Sequence, residues 1–180
     1  MNHEEIHIGS SVIRIVRGDI THERVDAIVN ATNASLRPGG GVCGAIHTAG
    51  GKTLTEDCRR VMADREQLVP GEAVATVAGD LKAQYVIHAL GPVWHGGDHG
   101  EAEALASAYR TSVEIADRLG LQSIAFPSIS TGIYGYPMMA AAHVALRALR
   151  TALERTHSVR EVRVVLYDAD AYEAWLGAAR

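Results

Sequence analysis

The stretch that decides the fold is "NATNASLRPGGGVCGAIH", residues 30–47. It continues the apolar run "DAIVNA" (26–31) and passes through three glycines into a helical pattern. Glycines at a strand-to-helix junction let main-chain N–H groups approach a ligand without interference from Cβ. The helix start adds partial positive charge, which suits an anion such as phosphate. A second junction of the same kind follows, where "SIAFPS" (123–128) leads into "STGIYGYP" (130–137). In α/β sheets, ligands sit beyond the carboxyl ends of the strands. Two such loops facing each other therefore predict a site for two linked phosphates that needs no lysine. Neither loop is a P-loop or a spaced-glycine Rossmann turn. One glycine loop can be only a tight turn, but two in equivalent topological places point to a ligand.

Outward from these loops, strand-like runs alternate with amphipathic stretches. The strands are expected at 11–16, 26–31, 73–78, 85–90, 123–128 and 162–167. Several are nearly continuous in apolar character, as strands covered on both faces are. Leu54, Cys58, Val61 and Met62 keep helical spacing, as do Leu105, Tyr109 and Val113, and later Leu146, Leu149 and Leu153. Pro137 is expected in the first turn of the third helix, Gly120 at the end of the second, and a short helix, "DAYEAWLGAA", closes the chain. The order is strand, strand, helix, two strands, helix, strand, helix, strand, helix. It predicts an α/β fold, a three-layer α/β/α sandwich with a mixed central sheet, because the early strands lack crossover helices.

Composition narrows the function. A length of 180 residues fits one domain, 1–180, and 47% hydrophobic with 21% charged residues is ordinary for a globular protein. No apolar run is long enough to span a bilayer, and the first residues lack a signal-peptide layout. Two cysteines are too few for a disulfide framework, so a cytoplasmic location is expected. A net charge of −4 argues against a broad electrostatic grip on nucleic acid. His95 and His99 invite a metal reading, but His-x-x-x-His in a glycine-rich loop lacks helical spacing, and a solvated loop is expected. His47 and His88 are expected as buried, hydrogen-bonded residues, and Asn30 as a loop brace.

Together "GDIT", "VDAIVNATNASLRPGGGVCGAIHTAGG", "YVIHALGPVW" and "IAFPSISTGIYGYP" resemble the macrodomain family, and within it the MacroD-like ADP-ribosyl hydrolases. The resemblance spans about Val12 to Trp175. It implies a fold that binds ADP-ribose over the sheet, with no cofactor and no metal. It implies that Asp19, beside Ile20, accepts from the adenine amino group and that Tyr167 packs on adenine. Asn33 would hold the distal ribose, next to Ala31. Gly40, Gly41, Val42 and Cys43 would face that ribose and the diphosphate. Ser130, Thr131, Gly132, Ile133 and Tyr134 would form the second phosphate loop. Asn33, Gly132 and Tyr134 would carry catalysis by orienting the sugar and holding the phosphates.

Cys43 departs from the pattern, which has a water-orienting aspartate there. A neutral thiol is mostly a small apolar residue, and ligand phosphates would oppose a thiolate, so an inert filler is expected. Hydrolysis remains open to the chain, because other hydrolytic macrodomains have alanine at that position. The resemblance thus implies hydrolysis of mono-ADP-ribose esters on proteins or deacetylation of O-acetyl-ADP-ribose. A non-catalytic ADP-ribose reader and an ADP-ribose 1″-phosphatase are the alternatives. The expected partners are ADP-ribose and ADP-ribosylated proteins, with nucleic-acid-linked ADP-ribose also admitted, and the chain is expected to be a monomer off the membrane.

Overall fold

The computed structural model describes residues 3–180. Its elements run β1 (Glu4–Ile8), β2 (Ser11–Arg17), β3 (Ala27–Ala31), α1 (Gly41–Met62), β4 (Ala73–Val77), β5 (Tyr85–Ala89), α2 (Glu101–Arg118), β6 (Ser123–Phe126), α3 (Met138–Arg155), β7 (Glu161–Leu166) and α4 (Ala169–Ala179). A short 3-10 turn, Ile20–His22, lies between β2 and β3. The strands form one sheet in the order β1-β2-β7-β6-β3-β5-β4.

The expected mixed sheet is present, but its mixed character arises elsewhere than expected. β2 and β3 are not neighbours; β7 and β6 stand between them, and all the pairings from β2 to β5 are parallel. The antiparallel pairs are the two edges, β1 with β2 and β4 with β5. β1, "EEIHI", has no counterpart among the expected strands. Its alternation is polar-rich, and only pairing with β2 fixes it, which seats Ile6 and Ile8 against the core.

The period-2 geometry of strands divides the core between two faces. Ala27 and Val29 of β3 and Ile87 of β5 point to the face covered by α2, α3 and α4, where Tyr109, Leu149 and Trp175 are buried. Ile28 and Val86 point to the other face, where α1 contributes Ile46, Leu54 and Cys58. Each fully buried aliphatic side chain contributes roughly 1.5–3 kcal/mol. Both faces being covered explains the continuous apolar runs.

Local signals set the helix ends. Gly120, at φ 71, follows α2, and the Leu121 N–H reaches back to Ala116 O at 2.9 Å. Asp168 caps α4 by accepting from the Ala171 N–H at 2.8 Å. Pro137 stands at the N-cap of α3, one position ahead of the expected first turn. Among the described residues, no helix is long and apolar enough to cross a membrane. The parallel strands β3, β5 and β6 end at one edge of the sheet, and the loops that follow them meet there.

Candidate functional site

Those loops enclose a cleft of about 380 Å³. One wall is Ala31, Asn33, Gly40, Gly41, Val42 and Cys43; the other is Ser130, Gly132, Ile133 and Tyr134. Both expected loops therefore meet, as their places after β3 and β6 require. Gly40 and Gly132 are informative because a Cβ added to either would meet nothing within 4 Å. Neither shows a positive φ. The fold itself does not require glycine there, so the missing side chains leave room for a ligand. Gly41 differs, since at φ 55 it adopts a conformation that side chains disfavour.

The first wall is self-satisfied. Asn33 Oδ1 accepts from the Ser35 and Arg37 N–H groups at 3.2 and 3.1 Å, and its Nδ2 donates to Arg37 O at 2.7 Å. This closed turn holds buried Leu36 at φ 58, a strained value for a branched residue. The Cys43 thiol sits over the same turn and donates to Arg37 O at 3.7 Å, a contact that a thiolate could not make. The expected division of labour between the asparagines is corrected. Asn33 both lines the cleft and braces the loop, while Asn30 is fully buried in β3, where its Nδ2 meets His88 Nδ1 at 3.0 Å. An amide on the sheet side of a strand faces the core, whereas one three residues later has left the ladder.

The second wall is less complete. Ser130 has φ 68, and its buried hydroxyl has no hydrogen-bond partner among the described residues. A non-glycine residue in that conformation, with an orphan hydroxyl beside a cleft, makes Ser130 a candidate functional position. Ile133 is 95% exposed at the rim. Gly135 N–H to Gly132 O at 3.0 Å and Tyr136 N–H to Ser130 O at 2.9 Å close the turn. The helix start expected to serve this loop does not: α3 begins at Met138, which is not part of the lining. Thr131 is also outside the lining, with its hydroxyl donated to Ser128 O at 3.0 Å.

Residues beyond the expected set complete the cleft: Thr32, Gly39, Gly91, Ser128 and Ile129. Gly91 follows β5, and a Cβ there would lie 2.1 Å from Ser130 Oγ. The "LGP" turn after β5 was the available signal, but only the crossing of two distant loops gives that glycine its reason. Among the described residues, Asp, Glu and His are absent from the lining.

Asp19, Ile20 and Tyr167 lie outside this cleft, grouped at the carboxyl ends of the paired strands β2 and β7, where Gly18 N–H bonds Leu166 O at 2.9 Å. Tyr167 is 81% exposed, so it is not core. Asp19 Oδ1 accepts from the Thr21 hydroxyl and N–H at 2.7 and 2.9 Å. The Thr21 hydroxyl, working against burial, holds the Asp19 carboxyl below its ordinary range, helped by the Thr21 N–H and His22. Oδ2 lies 3.9 Å from His22.

His47 and His88 are buried as expected. His88 is hydrogen-bonded, but Nε2 of His47 has no partner. The loop with His95 and His99 is ordered by Glu101, whose carboxylate accepts from the His95, Gly97 and His99 N–H groups at 3.0, 2.8 and 2.6 Å. Burial acts to raise the Glu101 pKa, but these donors outweigh it and bring it to about 2. The Trp94 N–H in turn donates to Tyr134 O at 2.8 Å, which ties this loop to the second wall.

Known proteins share this architecture. The Macro domain family matches residues 29–145. A Klebsiella pneumoniae protein named O-acetyl-ADP-ribose deacetylase is 49% identical over 156 residues, 87% of this chain and 89% of that protein. A Macro domain-containing protein of Streptomyces griseus is 52% identical over 165 residues, 91% of this chain and 92% of its own length. The solved structure of an Oceanobacillus iheyensis macrodomain with ADP is 38% identical, with a TM-score of 0.94 over 99% of this chain and 95% of that one. Sequence and fold thus agree over most of the length, and the chain belongs to the macrodomain family.

Proposed function

We propose that the chain binds ADP-ribose in the cleft and hydrolyses esters at its distal ribose. The substrates are O-acetyl-ADP-ribose or mono-ADP-ribose esterified to acidic side chains of proteins. The observation that carries this reading is the pair of facing loops whose Gly40 and Gly132 open onto empty space. That space, about 380 Å³, is in the range of small-molecule sites. The names of the bacterial relatives support the ester chemistry.

The residues divide the work. Main-chain N–H groups at the start of α1 and around Gly132–Tyr134 hold the diphosphate. The Asn33 loop fixes the ribose, and Ile133 closes over the ligand. Asp19 and Tyr167 take the adenine, the carboxylate by accepting from the amino group and the ring by stacking. Since no carboxylate or imidazole lines the cleft, water is held between the loop and a substrate phosphate, whose oxygen accepts its proton. The hydroxide adds to the ester carbonyl, the acyl C–O bond to the ribose oxygen breaks, and the proton returns from the phosphate to that oxygen, which gives the free acid and the ribose hydroxyl. Positioning and substrate charge then supply the rate.

One observation favours a second reading, a binding-only module: the Cys43 hydrogen is already committed to Arg37 O. Incubation with O-acetyl-ADP-ribose and with a glutamate-mono-ADP-ribosylated protein, beside calorimetry with free ADP-ribose, separates the two. Release of acetate or ADP-ribose is expected. Binding without release selects the reader, and absence of both removes the ligand assignment.

A further inference from the structure

Behind the first wall lies a cluster that ligand binding does not use. His47 of α1, Cys58 of the same helix and His88 of β5 are 5%, 3% and 0% exposed. One ligand-type atom from each lies within 4.8 Å of the others. In a straight helix, residues 47 and 58 would stand about 16 Å apart along the axis. They meet because α1 is bent between them, at Gly51, with φ 75 and ψ −162.

The cluster is incompletely hydrogen-bonded. His47 Nε2 has no partner, and its Nδ1 has a long 3.5 Å contact to Thr55 Oγ1. His88 Nε2 lies 3.6 Å from Cys58 Sγ and 2.9 Å from Thr76 Oγ1. Its Nδ1 meets the Asn30 amide, whose Oδ1 has no partner. Turning that amide over places Oδ1 on Nδ1, which then carries the proton and leaves the Nε2 lone pair between the Thr76 hydroxyl, which can donate to Val77 O instead, and Cys58 Sγ.

We infer that His47, Cys58 and His88 form a thiolate–imidazole site for a zinc-class divalent ion, with solvent as fourth ligand. Zn–S and Zn–N bonds of about 2.3 and 2.0–2.1 Å span a tetrahedral edge of roughly 3.6 Å, matching the Cys58–His88 separation. His47 closes the set by moving inward about 1 Å from its present spacing. Two nitrogens and a sulfur suit zinc or cobalt, not the oxygen-seeking calcium or magnesium. Binding replaces the Cys58 S–H bond by S–metal and releases that proton to solvent. The groove outside α1 has Thr55 and Cys58 in its lining and gives access; the positive charge of Arg37, Arg59 and Arg65 along it slows loading without altering the ligands. The ion would pin the two halves of α1 to β5. Asn30 links that clamp to the cleft, since the amide edge that meets His88 also lies 3.7 Å from Cys43 Sγ and, turned over, presents Oδ1 there. The inference does not rest on the hydrolase reading.

The test is titration of the chelator-treated chain with Co²⁺ alone, followed by Zn²⁺. The expected result is one Co²⁺ per chain, with thiolate-to-metal charge transfer and tetrahedral visible bands, displaced by Zn²⁺. Zn²⁺ at a hundredfold excess over its dissociation constant should raise Tm by roughly 5–10 °C. Cys58→Ser should abolish the charge-transfer band, His47→Gln should weaken binding at least tenfold, and Cys43→Ala should keep both. Should Cys58→Ser not fold, the Cys43→Ala and His47→Gln arms still decide. A wild-type chain that shows no thiolate band, a band that follows Cys43, or an unmoved Tm overturns the site and leaves a buried water as the partner of His47.

Discussion

The two walls of the cleft are built on opposite principles. The 33–43 loop spends its polar groups on itself: Asn33 closes the turn from both ends of its amide, and Cys43 caps Arg37 O. The 128–136 loop leaves groups open, with the Ser130 hydroxyl unpaired, Gly132 facing space and Ile133 exposed. A wall that is complete without ligand positions; a wall that is incomplete waits for one. On the proposed function, this difference assigns orientation of the ribose mainly to the first wall and leaves the second wall's open groups for the phosphates.

The most severe test puts bulk and charge on the open wall. A Cβ at Gly132 meets no atom within 4 Å, so the Gly132→Glu domain should fold with an unchanged urea midpoint, while calorimetry should show ADP-ribose affinity reduced at least 100-fold by the clash and charge repulsion with the diphosphate. Retained affinity would move the phosphates elsewhere. On the closed wall, Asn33→Ala opens the turn around Leu36. Turnover of O-acetyl-ADP-ribose should fall roughly 10- to 100-fold, with a much smaller change in affinity, because most contacts lie beyond the ribose. Equal losses would make Asn33 a binding residue like those opposite.

Ser130→Ala tests whether the orphan hydroxyl serves the ligand. Affinity should drop roughly 2- to 10-fold, the worth of one neutral hydrogen bond. Stability should hold or rise, since a buried unsatisfied group is removed and both residues share the same backbone strain. A stability loss in urea unfolding would mean that the hydroxyl is structural. Cys43→Ala should change turnover least, less than about threefold, as expected of a filler, whereas Cys43→Asp should raise it by adding a carboxylate to a lining that has none.

The smallest effect concerns the support behind the second wall. The Glu101 pKa is lowered in the folded state from 4.5 to about 2. The stability it contributes is therefore complete above about pH 4.5 and is lost as pH falls toward 2. Urea midpoints measured across that window should decline in the wild-type chain and decline less in Glu101→Gln. Parallel curves would detach this carboxylate from the stability of the loop.

Much of the site was legible in sequence. "GGGVCG" and "STGIYG" each identified a wall because glycine content and the preceding apolar strand are local signals. Tyr167, expected to pack on adenine, is 81% exposed outside the cleft, at the end of a strand whose pairing with β2 sets its position. Asn33 braces the loop, the part expected of Asn30, because strand pleat sends the Asn30 amide into the core and depends on where β3 ends. Ser130 was expected in the site, but its left-handed backbone and unpaired hydroxyl are set by Gly91 and the turn closed through Tyr136, both distant or downstream.

By itself the sequence determined the layers, the order of most elements and the two loops that enclose the cleft, because hydrophobic period, helix-ending glycines and glycine loops act within a few residues. Only the tertiary structure decided the rest. β1, rich in charge and histidine, becomes a strand through pairing with β2. β2 and β3 part because β7 and β6 insert between them. His47 and Cys58 converge on His88 because α1 breaks at Gly51 against the sheet. These outcomes rest on contacts between residues far apart in the chain, and no local pattern contains the energy of a contact whose partner lies on another strand.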